Sequence, residues 1–114
     1  MPEPYRSLKN ILPFEGHGWF AGGNAQGLAR LIHDHNVKTV IEVGSWLGTS
    51  TRYIAKQLPK KGTVYAVDHW IGSSEHQTGE HSTYLPTLYE QFLSNVIHAK
   101  LTHVIVPVRL SSLE

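Results

Sequence analysis

Apolar positions along the chain fall into two rhythms that alternate, one of helical spacing and one of short β-branched runs. Leu28, Leu31 and Ile32 predict a helix over residues 25–35, with Gly22-Gly23-Asn24 as the preceding turn, Asn24 as its cap and Asn36 as its stop. Thr39-Val40-Ile41-Glu42-Val43 is β-branched and closed by Gly44, the pattern of a buried parallel strand. Thr49, Ser50 or Thr51 then opens a helix to Leu58, which Pro59-Lys60-Lys61-Gly62 ends. Thr63 to Val67 predicts a second strand ending at Asp68, followed by a polar loop from Gly72 to Thr83. Residues 85–99 form a third helix on the stripe Leu85, Leu88, Phe92, Val96 and Ile97, with Pro86 in its first turn. His103 to Val108 is the last strand, its far end weakened by Pro107. Residues 1–20, rich in proline and aromatics, read as an irregular arm.

Helix and strand therefore alternate three times. That order implies an α/β fold: a parallel sheet with right-handed crossovers and helices on both faces, the mononucleotide-binding half of a doubly wound architecture. The chain divides into an arm, 1–24, and a domain, 25–114. Because Leu110-Ser111-Ser112-Leu113-Glu114 follows the third strand directly, the architecture is expected to stop short of completion.

Composition narrows the function. A chain of 114 residues, 40% apolar and 17% charged, fits one small globular domain. A net charge of +1 argues against a nucleic-acid backbone or an anionic membrane surface as partner. With no cysteine, disulfides, thiolate metal sites and cysteine nucleophiles are excluded. No apolar stretch is long enough to span a bilayer, and Met-Pro-Glu-Pro-Tyr lacks signal-peptide character, so a cytoplasmic protein is expected. Of the eight histidines, His33 and His35 point to different helix faces, and His76 and His81 lie in the polar loop. None makes the i, i+4 pair of a helical zinc site, so no metal is expected.

The chemistry should sit beyond the carboxyl ends of the strands. The first such loop reads Glu42-Val43-Gly44-Ser45-Trp46-Leu47-Gly48-Thr49-Ser50. Gly44 permits a sharp turn and close approach of a ligand to backbone, and the next helix start offers free N–H groups. The spacing Gly-x-x-x-Gly differs from the Gly-x-Gly-x-x-Gly of dinucleotide sites. Asp68, 24 residues after Gly44, stands where a carboxylate can accept two hydrogen bonds from a ribose diol, and His69 and Trp70 follow it. Plainer roles stay open: ordinary turn glycines, a turn cap at Asp68, packing for Trp46 and Trp70, and a structural acceptor at Glu42.

The run Val-Ile-Glu-Val-Gly-Ser-Trp-Leu-Gly-Thr-Ser resembles the first motif of class I S-adenosylmethionine-dependent methyltransferases, and Val-Tyr-Ala-Val-Asp-His-Trp-Ile-Gly resembles their second. Gln91 to Val96, followed by Val104 to Ser112, is similar to the stretch leading into the third. The resemblance covers residues 25–112 and is nearest to the branch with a Val-Asp-x-Trp-x-Gly second motif. It implies a three-stranded Rossmann-like parallel sheet of order 3-2-1, and S-adenosylmethionine or S-adenosylhomocysteine as ligand. Gly44 would lie beside the methionine moiety, in a loop lined by Ser45, Trp46, Gly48, Thr49 and Ser50. Glu42 would organise that loop or meet the amino group. Asp68 would bind the ribose, His69 and Trp70 border ribose and adenine, and Leu110 and Ser111 meet the adenine edge. No catalytic residue is assigned, although His69 is the best candidate for a base. The family's later strands, which build the substrate pocket, have no counterpart here, so the chain alone is expected to lack methyl transfer. Its first strand would present a bare apolar edge, covered by a homodimer joined through that strand or, alternatively, by the arm. A non-catalytic nucleotide-binding or assembly module is the other reading; a dinucleotide oxidoreductase is disfavoured by the glycine spacing.

Overall fold

The computed structural model describes residues 1–16, 22–70 and 88–109. The polar loop from Gly72 to Thr83, the helix start at Leu85 and Pro86, and the site residues Leu110 and Ser111 lie outside the described residues. After a 3-10 turn at Tyr5–Ser7 come α1 (Gly22–Asp34), β1 (Thr39–Val43), α2 (Thr49–Gln57), β2 (Thr63–Asp68), α3 (Leu88–His98) and β3 (Ile105–Arg109).

The helix ends follow from local chemistry. Asn36 adopts φ 51°, and the Val37 N–H reaches back to the Ile32 carbonyl at 3.0 Å, so α1 closes in the left-handed motif that asparagine tolerates. Lys100 (φ 61°) closes α3 the same way, with the Leu101 N–H on the Val96 carbonyl at 3.2 Å. Two boundaries differ by two residues or more from the sequence reading. Helix α1 begins at Gly22, so Gly22-Gly23-Asn24 belongs to the helix and Asn24 is not its cap. Strand β3 begins at Ile105 because Val104 and Ile105 both donate to the Leu101 carbonyl, which folds residues 102–104 into a turn. It then runs through Pro107 to Arg109, as an edge strand tolerates the missing N–H.

The three strands form one parallel sheet with β2 in the centre, the expected 3-2-1 order. Thr39 pairs with Thr63 and Val43 with Val67, and Val64 pairs with Ile105 and Asp68 with Arg109. This register brings the carboxyl ends of β1 and β2 level. One face of the sheet supplies Val64, Ala66 and Ile105 to a core completed by Ile32 of α1, Ile54 and Ala55 of α2, and Leu88, Phe92, Leu93 and Val96 of α3. The other face corrects the expectation of helices on both sides and of a buried first strand. Ile41 is 69% and Val43 64% exposed, and Tyr65 and Val106 are 39% exposed beside them. Among the described residues all three helices pack into the single core, so this apolar face stays open.

The described part of the arm, residues 1–16, packs on β3 and α3. Its Tyr5 is buried and donates its hydroxyl to the Ile105 carbonyl of β3 at 2.5 Å, while residues 12–15 bond to α3. For these residues the rival cover of the first strand is corrected: their polar groups find partners on β3 and α3. Among the described residues no helix is long and apolar enough to cross a membrane.

Candidate functional site

The turn between β1 and α2 is built on left-handed backbone. Gly44 has φ 84° and Gly48 φ 92°, values that cost an L side chain about 1–2 kcal/mol. Gly44 donates its N–H to the Val67 carbonyl at 2.8 Å, which ties the turn to the end of β2. A Cβ at Gly44 would meet no atom within 4 Å, whereas one at Gly48 would lie 3.0 Å from Phe92 Cε2 and 3.2 Å from Arg52 Nη1. The first glycine thus faces open space, and the second lets the turn press on the core. Gly48 stands at the N-cap of α2 without a side-chain cap, so the first-turn N–H groups keep no intrahelical partner.

Asp68 and the turn are in direct contact. Asp68 Oδ2 accepts the Trp46 N–H at 2.9 Å, and Oδ1 accepts the Trp70 N–H at 2.9 Å. His69 Nδ1 lies 3.5 Å from Oδ1, with the histidine side chain 41% exposed and the aspartate 13%. Each carboxylate oxygen therefore holds one backbone donor and retains a second acceptor position.

Glu42, near the end of β1, accepts hydrogen bonds from the Ser50 hydroxyl at 2.5 Å and from the Thr51 hydroxyl. Its carboxylate is thereby fixed at the N-terminal end of α2, where the helix dipole favours negative charge. Two further hydroxyls of the turn, Ser45 Oγ and Thr49 Oγ1, are buried without a hydrogen-bond partner. A buried hydroxyl left unbonded costs about 1–3 kcal/mol, so a native one calls for an explanation.

Trp70 is 1% exposed. It packs between the rings of Tyr89, at 4.9 Å, and Phe92, at 4.7 Å, and its indole N–H donates to the Trp46 carbonyl at 2.7 Å. Its geometry is that of a core residue that braces the turn. Trp46, half-buried with φ 52°, is held at both ends: its N–H on Asp68 and its carbonyl on Trp70.

Sequence reasoning singled out this cluster but missed the layer behind it. Asn95 donates to the Leu47 carbonyl at 3.0 Å, and Arg52 Nη1 donates to the same oxygen at 2.8 Å. The available signal was three polar residues, Gln91, Ser94 and Asn95, on one face of the helix that also carries Phe92 and Val96, all buried in the fold. Among the described residues no three acidic or histidine side chains gather as metal ligands. A groove of about 480 Å³ between the end of α1, the start of β1 and the end of α2 is lined by Ile32, His33, Asn36, Val37, Lys38, Gln57 and Pro59. It lies at the opposite end of the sheet from Gly44 and Asp68.

Solved structures share this fold. The O-methyltransferase TomG of Streptomyces achromogenes, a tomaymycin-synthesis enzyme solved with SAM, superposes with TM-score 0.56 at 19% identity over 78% of this chain. A Klebsiella pneumoniae protein described as an O-methyltransferase gives 0.61 at 21% identity over 99% of the chain. The Bacillus cereus O-methyltransferase solved with SAH gives 0.55 at 18% over 90%. The chain shares its fold with part of each of these proteins. The chain spans 33%, 46% and 38% of those three proteins, so it corresponds to less than half of each. No family model matches the chain. No curated protein matches it. In this chain the Gly44–Gly48 turn and Asp68 occupy the carboxyl end of the sheet, where open α/β folds bind ligands.

Proposed function

We propose that the Gly44–Gly48 turn and the Asp68 carboxylate bind S-adenosylmethionine, and that the chain is the cofactor-binding portion of a class I methyltransferase. The observation that carries this reading is the junction of the two strand tips, with the Trp46 N–H on Asp68 at 2.9 Å. A glycine bend and a carboxylate there address one nucleoside-sized ligand.

The residues fit the cofactor's chemistry. Gly44, with open space before it, gives the methionine moiety access to backbone. The unbonded hydroxyls of Ser45 and Thr49 suit a polar ligand atom, and Glu42 with Ser50 keeps the start of α2 in shape. The remaining acceptor positions of Asp68 take the two ribose hydroxyls. His69 borders the ribose, and Trp70 serves the site through Trp46. Gly48 sets the turn against the core, and Leu110 and Ser111 are assigned to the adenine edge. S-adenosylmethionine supplies an electrophilic methyl group on a sulfonium; this chain's residues bind and orient it. Transfer to an acceptor is assigned to the complete protein in a cytoplasmic setting.

Titration calorimetry with S-adenosylmethionine, S-adenosylhomocysteine and NAD tests the reading. Binding of the first two and not of NAD is the expected result. Asp68→Ala should weaken binding by about 1–3 kcal/mol through lost charged hydrogen bonds. Binding of NAD alone, or of none, would overturn the assignment.

The partner proposed for the bare first strand is a second copy of the chain, joined through the β1 edge beside the exposed Ile41 and Val43. Sedimentation equilibrium should then give twice the mass of 12.8 kDa. A single-chain mass at all concentrations would dismiss the dimer.

A further inference from the structure

We propose that Asn95 is a positioning residue for the Gly44–Gly48 turn, and that the arm segment 12–15, docked on α3, sets the shape in which that turn binds its ligand. The proposal rests on the reading of this turn as the cofactor loop.

Asn95 is fully buried and uses its whole bonding capacity. Its Nδ2 donates to the Glu15 carbonyl at 2.7 Å and to the Leu47 carbonyl at 3.0 Å. Its Oδ1 accepts from the Glu15 N–H at 3.0 Å and from Gln91 Nε2 at 3.0 Å. One side chain therefore ties the arm, α3 and the turn together. A buried amide with every partner in place is stiff, because losing one partner leaves another group unsatisfied.

The segment is held along its length. The Leu12 N–H donates to Ser94 Oγ at 2.9 Å, and the Pro13 carbonyl accepts from Gln91 Nε2 at 2.8 Å. Phe14 places its ring 4.9 Å from the Arg52 guanidinium. Arg52 is itself 8% exposed and is the second donor to the Leu47 carbonyl. Both groups that grip this oxygen thus lean on the arm, one through Glu15 and one through Phe14.

Leu47 stands between Trp46, which is bonded to Asp68, and Gly48 at φ 92°. Undocking the segment strips Asn95 of two partners and Arg52 of its ring, and the carbonyl that orients the turn loses its fixed donors. Order in the arm and order in the turn form one equilibrium. By linkage, a ligand that needs the ordered turn must also hold the arm down.

Amide hydrogen exchange on the full chain separates positioning from mere support. The variants are Asn95→Asp, which keeps size and loses both N–H donors, and Phe14→Ala, whose parent side chain is 54% exposed. We expect exchange at Trp46 and Gly48 to accelerate at least tenfold more than at Val64 in the central strand, and S-adenosylhomocysteine to bind at least tenfold more weakly to Asn95→Asp. In the unaltered chain the same ligand should slow exchange at Leu12 and Glu15. Equal acceleration at Trp46, Gly48 and Val64, or no change at Trp46 and Gly48 in both variants, would overturn the proposal. Failure of the unaltered chain to bind S-adenosylhomocysteine would instead sink the cofactor reading, and the exchange data would still judge the arm's hold on the turn.

Discussion

Adding one methyl group at Gly48 tests whether the turn is shaped by the core. The residue sits at φ 92°, and replacing glycine there costs about 1–2 kcal/mol in backbone strain. The new Cβ would stand 3.0 Å from Phe92 Cε2, 3.2 Å from Phe92 Cδ2 and 3.2 Å from Arg52 Nη1. Neither neighbour can yield freely. Phe92 is 0% exposed and packed on Trp70 at 4.7 Å, and Arg52 Nη1 is anchored on the Leu47 carbonyl. Overpacking of this kind adds about 1–3 kcal/mol, so Gly48→Ala should lose about 2–5 kcal/mol in all. That is a large part of the stability of a small domain, typically about 5–15 kcal/mol. Gly44→Ala is the internal control. It meets the same backbone strain at φ 84° but no atom within 4 Å, so it should lose only about 1–2 kcal/mol of stability. Its methyl group would, however, intrude on the space assigned to the cofactor and weaken binding more than folding. Urea denaturation of the two variants makes the comparison. A Gly48→Ala loss equal to or smaller than that of Gly44→Ala would refute the contact of the turn with Phe92 and Arg52.

Three further outcomes follow from single contacts. Trp70→Phe keeps the ring packing on Tyr89 and Phe92 but removes the donor to the Trp46 carbonyl; denaturation should show a loss of about 1–3 kcal/mol, and near-ultraviolet circular dichroism a change in the environment of Trp46. Glu42→Gln removes the charge that holds the Ser50 and Thr51 hydroxyls at the start of α2 and should cost about 1–2 kcal/mol by the same assay. Burial, with a smaller part from Tyr89, pushes the Tyr5 hydroxyl above its ordinary 10.0. Its contribution to stability is therefore full below pH 10.0 and is lost as pH rises from there toward the higher folded value. Tyr5→Phe should lower stability at pH 7 by about 1–2 kcal/mol, through the lost bond to Ile105, and make the alkaline decline shallower.

The frame of this fold was legible because its signals are local. Val40 to Val43 and Thr63 to Val67 are β-branched runs closed by a glycine and an aspartate, and their pairing places Gly44 and Asp68 side by side. The positive φ at Gly44 and Gly48 favours glycine at both positions. What sequence patterns could not carry was non-local. Gln91, Ser94 and Asn95 are polar yet buried, because they bond the backbone of an irregular arm some 80 positions away, which has no periodicity to read. The open face carrying Ile41 and Val43 departs from the burial that parallel strands usually have. Trp70 could have been a ligand-facing aromatic or a packing residue on spacing alone; only its contacts with Tyr89, Phe92 and the Trp46 carbonyl describe its place. The roles of Leu110 and Ser111 stay with the proposal, since they lie outside the described residues.

The most direct measurement is a two-dimensional amide NMR titration of the full chain with S-adenosylhomocysteine. The account predicts saturable shifts concentrated at Gly44 to Thr49 and at Asp68 to Trp70. Shifts confined to the groove around Ile32, Asn36 and Pro59 at the other end of the sheet, or none at all, would contradict it.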